Sequence, residues 1–163
     1  PIIENGKARI DHDRCVGCGR CLAVCPKDVI QPSSGSSVKS LNCKMAEYSL
    51  AVCKGRPHFH VSLICDVSPN CDCHPENDIP IIPDVGMFAS FDPVALDVAC
   101  ADAVNRMPVI DGSVLSDNLN EDAHHGEGHD HFHMTHPDTE WKSCIEHAVK
   151  IGLGNDEYEL VTI

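Results

Sequence analysis

The amino-acid sequence predicts a mixed α/β fold of the α+β class, in which a short cysteine-rich loop segment is joined to a small α/β domain. Four regularly spaced cysteines lie near the start of the chain, within residues 15–25. A Pro- and Ser-rich connector follows at residues 32–37. After it, helical and strand-like patterns alternate, which is typical of helices packed against a sheet.

The four N-terminal cysteines have the spacing C-x2-C-x2-C-x3-C, and Pro26 follows directly. The run consists of Cys15, Cys18, Cys21 and Cys25. This is the spacing with which bacterial ferredoxins bind a [4Fe–4S] cluster. Gly17 and Gly19 allow the backbone to wrap closely around such a cluster. The alternative is a zinc or structural thiol site, but zinc sites usually present two separated CxxC pairs. We therefore predict a ferredoxin-like [4Fe–4S] loop.

The fourth cysteine leaves three alternatives open. In two-cluster ferredoxins the last cysteine of this run binds the other cluster, so Cys25 would serve a second cluster. The chain begins at Pro1, and a second run of this kind is missing from its 163 residues. We therefore expect a C-terminal part of a longer protein that holds two clusters. Otherwise a remote cysteine, with Cys43 the nearest, completes a single cluster, or Cys25 closes it locally.

The same patterns predict the domain organisation. Residues 1–32 form the ferredoxin-type cluster segment, as half of a two-cluster module. Residues 38–163 form the α/β domain, with a Cys-rich loop at 65–78 and a His-rich loop at 120–136.

Secondary structure is predicted from periodicity and end signals. Residues 6–15, GKARIDHDRC, indicate a strand that leads into the cysteine run. A helix is predicted over residues 40–54, where Ser40 can cap the start and Gly55 ends it. Its apolar positions recur at spacings of three and four: Leu41, Met45, Tyr48 and Val52.

The rest of the domain is predicted in the same way. Residues 58–67 alternate like a half-buried strand, and residues 85–89 are a short apolar segment that suits a second one. Asp92 and Pro93 are an N-cap and a first-turn proline, which predict a helix up to Arg106. Further elements are a polar stretch at 111–137, a helix at 138–154 capped by Asp138 or Thr139, and a terminal strand at 158–163.

A second candidate site lies in the Cys-rich loop. Its soft ligands are Cys65, Cys71, Cys73 and His74, and Asp72 and Asp78 offer carboxylates. A C-x-C-H group is consistent with a second metal ion, an extra cluster ligand or a redox-active thiol pair. The alternative is a rigid loop with packed cysteines. A catalytic role for Asp92 is weakly indicated, since capping alone explains that residue.

The His-rich loop contains six histidines within residues 124–136. They are His124, His125, His129, His131, His133 and His136. Such spacing resembles a labile zinc or nickel tract. We favour the alternative, a solvated loop whose histidines only titrate near neutral pH.

Composition excludes several classes of function. The net charge is −13, from 12 basic and 25 acidic residues, which argues against a nucleic-acid partner and suits docking to a basic redox partner. No apolar run approaches the ~20 residues of a membrane span. The 11 cysteines include the tight run that needs reduced thiolates. We therefore expect a reducing, oxygen-poor cytoplasm, as in an anaerobe, rather than a disulfide scaffold.

Several ordered motifs resemble a known family. They are KMAEYSLAV, SPNCDC, DIPIIPDVGMFASFDPVALDVACADAVN, HP followed by Trp141, and IGLGNDEYEL. Together they are similar to the iron–sulfur centre proteins of domain of unknown function 362, from about Gly6 to Ile163. The resemblance implies that the cysteine run is the second of two ferredoxin-type motifs, and that Cys71 and Cys73 form the CDC loop of the family. The His-rich insertion around residues 120–133 departs from its pattern.

Three functions follow as hypotheses. The first is an electron-transfer module, whose partner is a redox protein or the upstream part of the same polypeptide. The second is an oxidoreductase with a substrate or second metal at Cys71 and Cys73. The third is a non-redox protein in which a cluster or zinc ion holds the fold together. The family's reaction is not established, so the resemblance does not supply a substrate.

Overall fold

We describe the protein from a computed structural model, which describes residues 2–16, 19–27, 30, 37–71, 77–121 and 130–163. The chain divides into two compact units, Pro1–Ser36 and Ser37–Ile163, and each is described by itself. Most of the predicted connector, residues 32–36, lies outside the described residues.

The first unit begins with a β-hairpin. Strand β1 (Ile2–Glu4) pairs antiparallel with β2 (Lys7–Arg9). The turn between them is Asn5-Gly6, with φ values of 52° and 73°. Two successive left-handed residues are what a two-residue type I′ hairpin requires, and Asn-Gly is its favoured sequence. The strand predicted over residues 6–15 is therefore confirmed only at Lys7–Arg9, since residues 10–15 form no strand. Helix α1 (Arg20–Ala23) follows.

The second unit contains five helices and two strands in its described part. In chain order they are α2 (Val38–Cys53), β3 (His60–Ile64), β4 (Gly86–Ser90), α3 (Pro93–Arg106), α4 (Val114–Glu121), α5 (His131–Thr135) and α6 (Trp141–Lys150). Strands β3 and β4 are antiparallel, and the register pairs His60 with Ser90 and Ile64 with Gly86. Helix α3 packs on this sheet, and α2 packs against α6. The mixed α/β class is thus confirmed, in the form of helices around small two-stranded sheets.

One hydrophobic core lies beside the β3–β4 sheet. Its buried residues are Ile64, Ile81, Ile82, Val104 and Leu115. Along β3 the side chains alternate between half-buried or buried and exposed, as the strand pattern predicts. Leu115 at the start of α4 is fully enclosed, and Phe88 and Phe132 pack around the same cluster.

A second core joins α2, α3 and α6 through small residues. Ala46, Val94 and Ala148 are its buried members. Small side chains allow helix backbones to approach closely. Beside them, the buried amide of Asn42 donates hydrogen bonds to the Glu140 carbonyl at 2.7 Å and to the Ser143 hydroxyl at 2.9 Å. This polar link fixes α2 against the start of α6.

The helix predicted over residues 40–54 exists as α2, but its start and orientation differ. Ser37, not Ser40, is the N-cap, and its hydroxyl accepts a hydrogen bond from the Ser40 amide at 3.2 Å. The apolar stripe that predicted the helix lies on its exposed side: Leu41, Met45, Tyr48 and Val52. Helix α2 therefore buries Asn42 and Ala46 instead.

Helix α3 is confirmed with Asp92 as its N-cap and Pro93 in its first turn. Helix α6 is confirmed in its centre, but Glu140 occupies the N-cap position, so the capping role of Asp138 or Thr139 is wrong. The predicted terminal strand is also wrong, since residues 158–163 form no strand. Tyr158 is held by its side chain instead, because its hydroxyl donates to Asp102 at 2.7 Å.

The polar stretch at residues 111–137 contains two helices that its composition concealed. The Ser113 hydroxyl accepts from the Ser116 amide at 3.2 Å at the start of α4. Asp130 caps α5 by accepting from the His133 amide at 2.8 Å. The predicted His-rich loop at 120–136 is therefore wrong for residues 120–121, which end α4, and for residues 131–135, and residues 122–129 lie outside the described part. No helix in the described ranges is long and apolar enough to cross a membrane.

Candidate metal centre

Two cysteines of the N-terminal run border one cleft in the first unit. Cys15 is exposed and Cys21 is half-buried, and both line a cleft of about 380 Å³. Cys18 lies outside the described residues. Cys25 is half-buried beyond the end of α1, and its amide donates to the Leu22 carbonyl at 3.2 Å. Cys25 is not one of the described residues that line this cleft.

The chain positions Cys21 through a left-handed residue. Gly19 has φ 69° and precedes α1, so the chain reverses just before Cys21 enters the helix. A side chain at this φ would be strained, and glycine avoids the strain. On the other side of the cleft, the Arg14 amide donates to the Asp11 carbonyl at 3.3 Å, which forms the turn before Cys15.

The lining of the cleft combines apolar and cationic side chains. Ile2, Ile10 and Val16 contribute apolar surface. Arg14 and Arg20 contribute guanidinium groups. Asp11 adds a carboxylate to the same lining, so two cationic groups and one anionic group lie beside the thiols of Cys15 and Cys21.

The Cys-rich loop is only partly described. Cys71 is exposed, whereas Asp72, Cys73 and His74 lie outside the described residues. The preceding turn is fixed, because the Ser68 hydroxyl donates to the Asn70 carbonyl at 2.8 Å and His136 Nε2 lies 2.6 Å from the Pro69 carbonyl oxygen. A metal or redox site at Cys71, Cys73 and His74 therefore stays a prediction.

The hydrogen bonds of Asp78 and Asp92 serve the fold. The Asp78 carboxylate accepts from the Ile79 amide at 2.7 Å. Asp92 is the helix cap described above, and no described contact gives it a catalytic partner beyond this capping and its bonds to Asn155. Neither residue gains a functional assignment from the geometry.

A third group of ligand atoms was missed by the sequence analysis. The ligand atoms of Cys53, His58 and His60 all lie within 4.8 Å of one another. His60 Nε2 and His58 Nδ1 are 2.9 Å apart, and all three residues are half-buried. The sequence does contain the pattern C-x4-H-x-H, with a glycine turn between the cysteine and the first histidine. This pattern indicates a metal site only when the end of α2 is known to lie beside the start of β3.

Two other cysteines behave as packed thiols. Cys100 on α3 and Cys144 on α6 are half-buried. Burial raises the pKa of the Cys100 thiol, partly opposed by a hydrogen bond with Ser62. Burial also raises the pKa of the Cys144 thiol, with smaller contributions from Asp97 and Cys43. Raised thiol pKa values disfavour thiolates, which are the form that binds metals.

The described histidines of the His-rich tract serve the fold. His131 Nδ1 lies 3.0 Å from the Val104 carbonyl oxygen, and its amide donates to Asn105 at 2.8 Å. His136 contacts the Pro69 carbonyl as described. His124, His125 and His129 lie outside the described residues, so metal binding by the whole tract stays untested.

Comparison with known proteins gives a family and one curated relative. Residues 2–102 match the family described as "Domain of unknown function (DUF362)", which is more than half of the 163 residues. Ferredoxin-2 of Desulfomicrobium norvegicum is 45% identical over 29 residues, which are 18% of this chain and 49% of the relative. The chain therefore spans about half the length of the curated relative that it matches. No solved structure matches. The ferredoxin similarity and the Cys/His group together support metal binding.

Proposed function

The chain belongs to the family of domain of unknown function 362, and on this premise we propose that it is an iron–sulfur electron-transfer protein or module. The proposed cofactor is a [4Fe–4S] cluster on Cys15, Cys18 and Cys21. One observation carries the proposal: Cys15 and Cys21, which belong to a run of ferredoxin spacing, line the same cleft. The local similarity to a ferredoxin supports it.

The described residues suit such a group. The chain offers soft thiolates at one cleft, and the cleft volume of about 380 Å³ leaves room between the walls. A bound [4Fe–4S] cluster would accept and release one electron. Arg14 and Arg20 would counter the negative charge of a thiolate-bound cluster. Ile2 and Ile10 would place apolar surface beside it.

Cys25 fits a separate role. By the rule for two-cluster ferredoxins, we propose that it binds a second cluster held by an upstream segment, and that a cysteine of that segment supplies the fourth ligand of the cluster on Cys15, Cys18 and Cys21. Cys25 is not among the described residues that line the cleft, which agrees with this role. The electron donor or acceptor would be a redox protein or that upstream segment. The net charge of −13 suits a basic redox partner, because opposite charges accelerate association. A cytoplasmic location and an oxygen-poor setting remain part of this proposal.

The test is anaerobic reconstitution of the full chain with iron and sulfide. We expect acid-labile sulfide, broad visible absorption and an electron paramagnetic resonance signal after one-electron reduction. Cys18→Ser should remove most of the absorption, whereas Cys100→Ser, a packed thiol outside the run, should retain it. A preparation that takes up zinc and no sulfide, or a cluster that Cys18→Ser leaves intact, would contradict the proposal.

A second arm tests the role of Cys25. If Cys25 serves another cluster, Cys25→Ser should leave the iron and sulfide content of this chain unchanged. Loss of the cluster on Cys25→Ser would show instead that Cys25 closes it locally. The proposal for Cys25 would then fail, while the proposal for the other three cysteines would stand.

A further inference from the structure

We propose that Cys53, His58 and His60 bind a divalent transition metal ion of the Zn²⁺ class. These residues belong to the second unit, and the cysteine run belongs to the first. One thiolate and two imidazoles are the ligand types that zinc prefers in proteins. The proposal does not rest on the iron–sulfur function.

The distances fit a shared ion after a small adjustment. The ligand atoms of the three residues lie within 4.8 Å of one another, and the two ring nitrogens are 2.9 Å apart. Around a tetrahedral zinc ion with Zn–N bonds of 2.0–2.1 Å, two nitrogens lie about 3.3 Å apart. A hydrogen bond between the two rings would explain the same distance, so the experiment must separate these alternatives.

The local chain path brings the ligands together. Cys53 is the last residue of α2, and Gly55 turns the chain with φ 72° before β3 begins at His60. His58 and His60 are two residues apart, so in extended backbone they point to the same side. The preorganisation comes from a helix end and a strand start, not from a long loop.

The surroundings favour a cation. The carboxyl end of a helix carries partial negative charge, and Cys53 lies at that end of α2. The carboxylate of Asp97 on α3 interacts electrostatically with His60. Lys54 and Arg56 also line the adjacent cleft and oppose a cation, but the guanidinium of Arg56 donates a hydrogen bond to the Val52 carbonyl at 2.7 Å.

The site leaves one coordination position open. Cys53 and His58 also line a cleft of about 390 Å³. A zinc site with three protein ligands holds water or a substrate atom in its fourth position. We therefore infer that water from this cleft completes the tetrahedron.

Cobalt titration of the full chain tests the site. The four cysteines of the N-terminal run are changed to Ser in the background, so that they cannot contribute. We expect one equivalent of Co²⁺ to produce a near-ultraviolet sulfur-to-cobalt band, and Zn²⁺ to displace it. In that background Cys53→Ser should reduce the band strongly, whereas Cys100→Ser should leave it unchanged.

Histidine variants supply the second readout. Loss of outer-shell partners costs about 10–100-fold in metal affinity, so loss of a ligand in His58→Gln or His60→Gln should cost at least about tenfold. His147→Gln, whose ring contacts Glu47 at 3.3 Å, is the matched control. Circular dichroism verifies that each variant folds. His58 itself lies outside the helices and strands. A band unchanged by Cys53→Ser, or an affinity unchanged in both histidine variants, would overturn the proposal.

Discussion

Asp92 and Asn155 are joined by two hydrogen bonds across 63 positions of the chain. Asp92 Oδ2 accepts from the Asn155 backbone amide at 2.9 Å and from its side-chain amide at 3.2 Å. The other carboxylate oxygen accepts from the Val94 and Ala95 amides at 2.9 and 3.1 Å. One carboxylate therefore caps α3 and also anchors the segment that follows α6.

Replacing this carboxylate should destabilise the protein. Asp92→Ala removes an N-cap, which costs about 0.5–2 kcal/mol, and it also removes the anchor of Asn155. We expect the free energy of unfolding to fall by at least about 1 kcal/mol in urea denaturation. Asp111→Asn, an exposed aspartate outside the helices, is the control and should change little. Equal stability of the two variants would contradict the anchoring role.

The same group should make stability depend on pH. Burial raises the pKa of Asp92, but the hydrogen bonds from Ala95, Asn155 and Val94 outweigh it, so the pKa lies below its usual value. A lowered folded-state pKa stabilises the protein above the unfolded pKa of about 3.9. That contribution is lost as the pH falls through the folded-state pKa. The stability gap between wild type and Asp92→Asn should therefore shrink in acid, as thermal melts from pH 7 to pH 3 can measure.

Gly154 should not tolerate a larger residue. A Cβ atom at this position would overlap the Asp92 carboxylate. Gly154→Ala should thus cost about 1–3 kcal/mol, the usual range for overpacking. In the Asp92→Ala background the overlapping atoms are gone, so the cost should largely disappear. A double-mutant cycle measured by denaturation would detect this coupling, and additive effects would show that the loop moves away freely.

These contacts show which parts of the fold a sequence can reveal. The start of α3 was predicted correctly because Asp92 and Pro93 act on their immediate neighbours. The Asn155 anchor was not, because it depends on a partner 63 positions away. Asn42 likewise looked like an ordinary polar residue of α2, and its burial follows from the Glu140 carbonyl 98 positions later.

The errors have physical causes too. The apolar alternation at residues 158–163 suits a strand. The pattern alone does not show whether the edge of a sheet is available for such a strand to pair with. The polar composition around His131 concealed α5, whose start is set by the Asp130 cap. The cysteine run predicts a cluster from its spacing alone, whereas the group of Cys53, His58 and His60 depends on the turn between α2 and β3.

The arginines of the N-terminal cleft should tune the proposed cluster. Reduction adds one negative charge, which a nearby guanidinium favours. Arg14→Gln should therefore lower the reduction potential by about 20–60 mV, as expected for the loss of about 0.5–1.4 kcal/mol of attraction. Potentiometric titration of the reconstituted protein measures the shift, and Lys7→Gln on the hairpin is the charge-matched control. Equal shifts of the reduction potential in both variants would show that the change in net charge alone causes the shift.

Thiol reactivity should separate packed cysteines from accessible ones. Burial raises the pKa of Cys100 and Cys144, so at neutral pH both remain mainly protonated. In anaerobic, cluster-free protein we expect iodoacetamide to modify exposed Cys15 well before either of them. Peptide mass spectrometry measures the modification rate of each cysteine. The difference in rate between Cys15 and the two packed thiols should be smaller at pH 9 than at pH 7. Equal rates at pH 7 would show that Cys100 and Cys144 are more accessible than their burial implies.

The polar link between Asn42 and the start of α6 has a consequence for synthesis on the ribosome. Because its partner lies 98 positions later, the second core cannot close until α6 has emerged. Folds held by such distant pairings form slowly and leave apolar surface open meanwhile. The hairpin of Ile2–Glu4 and Lys7–Arg9, in contrast, is formed by contacts within residues 2–9. We therefore expect the amino-terminal hairpin to form on the nascent chain before Ala148 is available to pack against Ala46 and Val94.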